Sequence, residues 1–435
     1  MNSPSDTGFS PGKLRAIAVA LFAVISGSLW MGFAVDTYFG SDGSFYFAVI
    51  LDNGTFTNIA PSRAYAEWMT QWPLVLGVNS GLTDLATLEI LFGLGIWFPW
   101  VLSFAISLYA TRERPALIFF FLISLVSLNL AAWCLIYGEH LVLLSVAWPI
   151  FFFGILRRPL NITEQILTAL LLIVHLKLYE STVVTGAIFA VMFSFRSWLA
   201  RTHRERWGST ALASLAIASV VIALYWILFP RDADNRTSFL AAIIGSLAHP
   251  YPWMGVSFVI LNIAGYFLDY QKLLKAAWVT PLVIGAISLL SPGIWGGIAF
   301  STRTLTLTAL PLLMLATFIV SLSRFKMTRQ VMIPVAAIIV GISLLHLRHL
   351  QSWLEFRSDF KAILQKEQGF VKPEDHDNID HWGWTNPVLS YVWSEGEVNA
   401  VIVNRETVEY QAFPFRSEML LEKYLTKKPD FLEKE

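Results

Sequence analysis

Apolar runs of about 17 to 25 residues recur along most of this chain, separated by short polar breaks, and each is long enough to cross a hydrocarbon core of about 30 Å. Eleven such runs are expected to form membrane spans, at residues 14–35, 85–110, 115–136, 140–156, 162–178, 182–195, 209–229, 252–268, 276–291, 304–323 and 331–347. The pattern predicts an all-α polytopic membrane protein. It divides into a short N-terminal segment (residues 1–13), a transmembrane region (14–347) and a tail (348–435). The first span follows Lys13 and Arg15 and lacks a small-residue cleavage site, so it reads as an uncleaved signal anchor.

The stretch between the first two runs, residues 36–84, is too long for a plain connector and should carry structure or function. Within it, Tyr65, Trp68, Met69 and Trp72 follow i, i+3, i+4, i+7 spacing, while Arg63, Glu67, Thr70 and Gln71 take the other face. A short helix lying in the membrane interface is expected there. A second interfacial segment is expected at residues 238–247. In the tail the pattern predicts an amphipathic helix over 350–364, a polar turn-rich stretch, a strand in VNAVIV and a terminal helix in EMLLEKYL, together a small α/β cap.

Composition supports the membrane reading: 55% of the 435 residues are hydrophobic and only 14% charged, against about 25% charged in soluble domains. Mean hydropathy is +0.58. Net charge is zero, which gives no reason to expect nucleic acid as a partner. The one cysteine, Cys134, excludes an internal disulfide and a cysteine metal cluster.

The positions of the basic residues assign sidedness. Arg112, Arg114, Arg157, Arg158, Arg196, Arg201, Arg204, Arg206, Lys272, Lys275, Arg324, Lys326 and Arg329 fall in alternate breaks, on the side of the N-terminus. The positive-inside rule puts that side in the cytoplasm and the tail outside. The opposite face then collects Asp36, Asp42, Asp52, Glu67, Asp84, Glu139, Glu180, Asp232 and Asp234. Ionisable groups at membrane depth are costly and usually face a protein cavity, so that face is where chemistry is expected.

No P-loop, dinucleotide fingerprint, HExxH, CxxC or nucleophile elbow is present. An enzyme here must therefore be built from membrane helices and the loops that cap them. In VDTYFGSDGSFYF, Asp36 and Asp42 follow the first span, where a carboxylate beside a partly dry cavity can act as a general base or simply cap a helix. Glu139 and His140 in YGEHLV stand in a tight turn between two spans, placed either to orient an acceptor or to cap helix ends. In HLKLYES, Lys177 and Glu180 either pair across one helical turn or serve a phosphate and a sugar hydroxyl; His175 reads as structural. Arg303, nearly alone among bases at the outer end of a late span, either snorkels or grips a phosphate. Arg236 is a weaker second choice. Glu374, Asp375, His376, Asp377, Asp380 and His381 lack ligand spacing and read as a hydrated turn. Trp382, Trp384 and Asn386 beside them read as a packed aromatic turn, with a sugar-stacking platform as the alternative.

A long first loop with an aspartate just outside span one, DGSFYF within it and an interfacial helix after it resembles the GT-C class of polytopic membrane glycosyltransferases. The resemblance covers the membrane region. It implies a GT-C-like architecture and transfer of a sugar from a polyprenyl-phosphate carrier to a glycan, lipid or protein acceptor on the periplasmic or lumenal face. It matches Asp42 to the loop-one catalytic acid, with Asp36 as the fallback, although Asp42 is followed by Gly43 where many members have an Asp-Glu pair. Arg303 is similar to the late-span arginine that holds the donor phosphate, with Lys177 as a helper. Glu139, His140 and Glu180 complete the expected substrate-binding set. Inversion is expected, because no second carboxylate is placed as a nucleophile. No cofactor is required by this reading, a divalent cation is left open, and the bacterial inner membrane is the expected location, with a role in glycan or cell-envelope biosynthesis. The competing class is a transporter or flippase for a lipid-linked or small polar substrate, which would place polar groups near the midplane in two related halves. A non-catalytic anchor explains the tail but not the outer acids.

Overall fold

The structure is a computed structural model. It describes residues 9–40, 42–57, 61–130, 139–156, 158–229, 270–290, 298–322, 327–376, 386–394 and 399–402. The helices are α1 (Pro11–Ala34), α2 (Asp42–Asn53), α3 (Ala64–Asn79), α4 (Leu85–Ala110), α5 (Ile118–Leu125), α6 (Glu139–Ile155), α7 (Ile162–His175), α8 (Thr182–Leu199), α9 (His203–Leu228), α10 (Tyr270–Leu290), α11 (Ile298–Leu322), α12 (Arg329–Lys366) and α13 (Asn386–Trp393). Two short strands, β1 (Gly369–Val371) and β2 (Ala400–Ile402), pair in parallel with Gly369 opposite Ala400. Among the described residues the fold is all-α apart from this ribbon.

Among the described residues five helices are long and apolar enough to cross a membrane: α1, α4, α8, α9 and α12. Shorter apolar helices stand at the other expected spans, except that 252–268 lies outside the described residues, as do the expected segments 238–247 and EMLLEKYL.

Pattern and position agree. The sequence IFFFLISLVSLNL has no polar face, and Ile118–Leu130 is buried throughout, with a π-helical turn at Val126–Leu130. A helix apolar on all sides belongs at the centre of a bundle. By contrast α8 and α9 turn large apolar side chains outward, with Val191 70%, Trp198 75%, Trp207 72% and Val221 58% exposed. Such surfaces fit a membrane-embedded protein, where lipid tails cover them. Helix starts follow capping rules: Asp84 accepts from the Thr87 amide (3.0 Å), Thr202 from Glu205 (3.2 Å), and Asn161 with Glu164 forms a reciprocal capping box. Asp84, one of the outer acids, is therefore a helix cap.

The first loop is structured. A 3-10 turn at Thr37–Phe39 leads into α2, and α3 packs along α4. The two helices approach closely at Gly95, where a Cβ would meet the Thr70 carbonyl oxygen. The polar stripe of α3 turns inward: Glu67, Thr70 and Gln71 are buried, whereas Trp68 and Trp72 are 46% and 40% exposed. In a membrane interface the apolar stripe faces lipid, so polar residues find partners inside the protein. Gln71 bonds both the amide and the hydroxyl of Thr57.

The tail differs from expectation in one respect. The span expected at 331–347 and the separate helix expected at 350–364 are one 38-residue helix, α12. LRHLQSW, the sequence across the expected break, holds no glycine or proline, so nothing interrupts the backbone hydrogen bonds there. The expected strand in VNAVIV is present as β2, and its partner β1 was not anticipated. The amide of Ile402 donates to the Ser390 hydroxyl of α13 (3.0 Å), and α13 also packs on α2, so the cap rests on the first loop.

Candidate functional site

The C-terminal end of α1 does not simply fray. Asp36 has φ 61° and ψ 31°, and among the described residues it is the one non-glycine residue with positive φ. Aspartate tolerates this left-handed conformation better than most residues, yet it still costs about 1 kcal/mol, and such outliers concentrate at functional sites. The turn is held from two sides. The Thr37 hydroxyl donates to the Gly32 carbonyl (3.1 Å), and the indole of Trp353, on α12, donates to the Val35 carbonyl (2.7 Å).

The Asp36 carboxyl is 10% exposed, and its Oδ2 lies 2.8 Å from Nη2 of Arg357 on α12. The Tyr38 hydroxyl donates to Oδ1 (3.3 Å). Tyr38 is itself packed edge-on against Phe33, Phe39 and Phe92 at 5.9, 4.6 and 5.7 Å. Glu89, one turn into α4, stands in the combined field of Asp36, Arg357 and Lys361. The site therefore contains two carboxyls and two cations from three distant parts of the chain.

Burial pushes the Asp36 carboxyl above its ordinary 3.8, against the opposing pull of Arg357, the Tyr38 hydroxyl and Lys361. Burial, followed by the charges of Asp36 and Glu89, holds the Tyr38 phenol well above 10.0, so it stays protonated and remains a donor. A carboxylate with raised proton affinity beside a guanidinium is suited to accepting a proton next to a developing anion. Arg357 also lies 6.0 Å from the Trp393 ring, which joins the α13 cap to the site.

The sequence-predicted residues divide around this centre. Asp36 is in it. Asp42 begins α2, Glu139 and His140 are the first residues of α6 and Arg303 lies in the second turn of α11; the side chains of all four lie outside the described residues. Glu139 and His140 thus begin a helix instead of occupying a turn. Glu180 pairs with Arg63 (3.1 Å) and accepts from the Ser62 hydroxyl (2.9 Å), and not from Lys177 as helical spacing suggested. The chain leaves α7 at His175, so residues 177 and 180 are not stacked on one helix face. Lys177 instead sits 5.8 Å from the Tyr65 ring, and its carbonyl accepts from the Tyr65 amide. This pairing fastens the first loop to the α7–α8 turn. Burial works against the Glu180 charge, but Arg63, backbone bonding and Ser62 together hold the carboxyl below its ordinary 4.5. His175 is buried, with Nε2 2.8 Å from the Thr185 hydroxyl, in keeping with a structural role. Residues 232–236 and 377–385, which hold Asp232, Asp234, Arg236, Asp377, Asp380, His381, Trp382 and Trp384, lie outside the described residues. Among the described residues no three His, Cys, Asp or Glu side chains gather as metal ligands.

Sequence reasoning missed Glu89 and Arg357. Glu89 is the single charged residue of the run 85–110, a signal the cost of intramembrane charge should have exposed. Arg357 and Lys361 are one helical turn apart on α12, but nothing in sequence tied that face to residue 36.

The opposite end of the bundle collects the basic residues. Glu164, fully buried, accepts from Arg112 (2.8 Å) and Arg158 (2.6 Å); Arg158 also pairs with Glu113 (2.6 Å). Arg15 donates to the Arg112 carbonyl, Arg114 to that of Ser321, and Arg196 to those of Leu156 and Arg158. Arg15, Arg112, Arg158 and Arg196, which sequence assigned to one face, are thus linked through Glu164 and backbone carbonyls, away from Asp36.

Comparison of the chain with protein-family models, with curated proteins and with solved structures finds no match.

Proposed function

We propose that this chain is a membrane glycosyltransferase that moves a sugar from a polyprenyl-phosphate carrier to an acceptor hydroxyl at the outer end of its helices. One observation carries the reading: a buried carboxylate on a left-handed backbone, Asp36, stands beside a second acid, Glu89, and two cations, Arg357 and Lys361, at the membrane edge.

In this reading the carboxylate of Asp36 takes the proton of the acceptor hydroxyl. The freed oxygen forms its bond to the anomeric carbon as the bond from that carbon to the phosphate oxygen breaks. The electron pair leaves with the phosphate, whose growing charge Arg357 and Lys361 oppose. A single displacement inverts the anomeric carbon. Glu89 keeps the cations near the site when no phosphate is bound. Asp42, six residues on, is the second candidate base, and Arg303, Lys177, Glu139 and His140 are candidates for substrate contacts.

The test is transfer from a labelled polyprenyl-phosphate sugar in membranes carrying Asp36→Asn or Asp42→Asn protein. Loss of transfer in Asp36→Asn, with the protein still folded, is the expected result. Full transfer in both variants overturns the proposal.

A transporter has one observation in its favour. The Asn129 side-chain amide, on the π-helical turn of the central helix, is buried without a hydrogen-bond partner among the described residues, and His346 lies against the Leu130 backbone. Polar groups at such irregular turns can line a path for a substrate. Uptake of a substrate into sealed vesicles without a covalent product would favour that class.

A further inference from the structure

Where α6, α8 and α11 diverge near the basic end of the bundle, they leave a cavity of about 660 Å³, open on one side. Its walls include Phe151, Ala187, Val191, Met314 and Phe318, and its lining holds one charged residue, Arg196. The open side is apolar, with Val191 70%, Phe195 53% and Phe318 38% exposed. A water-filled groove of this kind would be costly in a soluble protein, whereas hydrocarbon fills it at no such cost.

Three features identify the occupant. The volume is within the range of a small-ligand site. The α8 wall runs nine steps along the helix from Ala187 to Arg196, which at a 1.5 Å rise is about 14 Å, close to the roughly 15 Å depth of one leaflet. Charge is confined to one end. There Arg196 caps the last turn of α6 by donating to the Gly154, Leu156 and Arg158 carbonyls, while its Nε–H is buried without a partner among the described residues. Arg201, Arg204 and Arg206 follow just beyond, exposed.

We infer that this groove binds one lipid with an anionic phosphate headgroup, its chain lying between α8 and α11 and its phosphate drawn to Arg196 and the basic segment after it. The site lies at the other end of the bundle from Asp36, so it stands independently of the transferase reading. A free phosphate ion does not fit, because the groove offers an apolar wall and a single cation.

The test uses the full chain purified in detergent and offered phosphatidylglycerol or phosphatidylcholine with identical palmitoyl and oleoyl chains, with retention read by native mass spectrometry. Wild type is expected to keep one phosphatidylglycerol per chain, favoured over phosphatidylcholine by about fivefold, as a basic residue at a membrane surface implies. Ala187→Trp fills the groove without touching the α6 cap and should release both lipids, whereas Val221→Trp on the outward face of α9 should not. Arg196→Gln should abolish the headgroup preference. Because Arg196 also caps α6, Ala187→Trp keeps the test decisive if Arg196→Gln fails to fold. Equal retention of the two lipids by wild type, or undiminished phosphatidylglycerol on Ala187→Trp, would overturn the inference.

Discussion

Replacing Arg357 with glutamine removes the cation nearest Asp36 and leaves a carboxyl that is only 10% exposed. Breaking a fully buried pair by deleting one partner costs about 3–5 kcal/mol. Arg357 is 25% exposed, so water screens part of the interaction and the expected cost near neutral pH is about 2 kcal/mol. The pH dependence is more diagnostic than the size. In the folded protein the Asp36 carboxyl titrates above its ordinary 3.8. Between that value and the folded one, the native state holds more protons than the unfolded state, so the stability contributed by this group falls as pH rises through the window. Without Arg357 the folded carboxyl titrates higher still, and the decline continues further. The gap between wild type and Arg357→Gln should therefore be near zero below pH 3.8, where Asp36 is neutral in both states, and should open to its full size toward neutrality. Unfolding by sodium dodecyl sulfate in mixed micelles measures this. A double-mutant cycle with Asp36→Asn should show coupling of about 2 kcal/mol at pH 7.5. A gap that does not change with pH, or single effects that add within about 0.5 kcal/mol, would refute the reasoning.

Other perturbations test the surrounding frame. Glu164→Gln strips the charge from a fully buried acceptor of Arg112, Arg158 and the Asn161 amide and should cost about 2–3 kcal/mol in the same titration. Gly95→Ala puts a methyl against the Thr70 carbonyl and should lower stability by about 1–3 kcal/mol, while Gly12→Ala, in the first turn of α1 with nothing within 4 Å, should leave stability unchanged or raise it by up to about 1 kcal/mol. Glu180 is held below its ordinary 4.5, so its contribution is complete above that value and is lost as pH falls through the folded one. Protection of the Tyr65 amide, which bonds the Lys177 carbonyl beside this pair, should fall on acidification in wild type once exchange is corrected for its intrinsic pH dependence, and should be low already at neutral pH in Glu180→Gln.

Much of the fold was legible because lipid makes the code simple. A run of about 20 apolar residues has few outcomes other than a helix, and positions 85–110 matched α4 to the residue. The run 115–136 was expected as one span among eleven; its place at the centre of the bundle comes from the structure, where Ile118–Leu130 is buried throughout. Pattern misled where two environments meet. Near Leu347 the hydropathy of α12 falls, which marked an expected break there although the backbone continues as one helix. The amphipathic stripe of α3 was read correctly as a pattern, but hydropathy does not say which partners its polar face meets. Thr57 and Gln71 find each other across 13 intervening positions of the chain.

The site was half legible for a related reason. Asp36 stood out because it follows an apolar run, but its partner lies 321 positions further on, at Arg357. Helix lengths bring the two to the same height. At 1.5 Å per residue, α1 is about 36 Å long, and Arg357 stands about 42 Å along α12 from Arg329. Both helices run outward from the basic end, and the Ser28 hydroxyl bonds the Ser343 carbonyl midway. A shorter α12, ending near residue 347, could not have reached residue 36. The continuous helix is thus what converts a tail into part of the site. It also sharpens the transfer test. Asparagine adopts the left-handed conformation about as readily as aspartate and nearly matches its size. Asp36→Asn therefore removes charge and proton affinity while keeping the turn, so that a lost transfer activity is assigned to the carboxylate and not to the backbone that presents it.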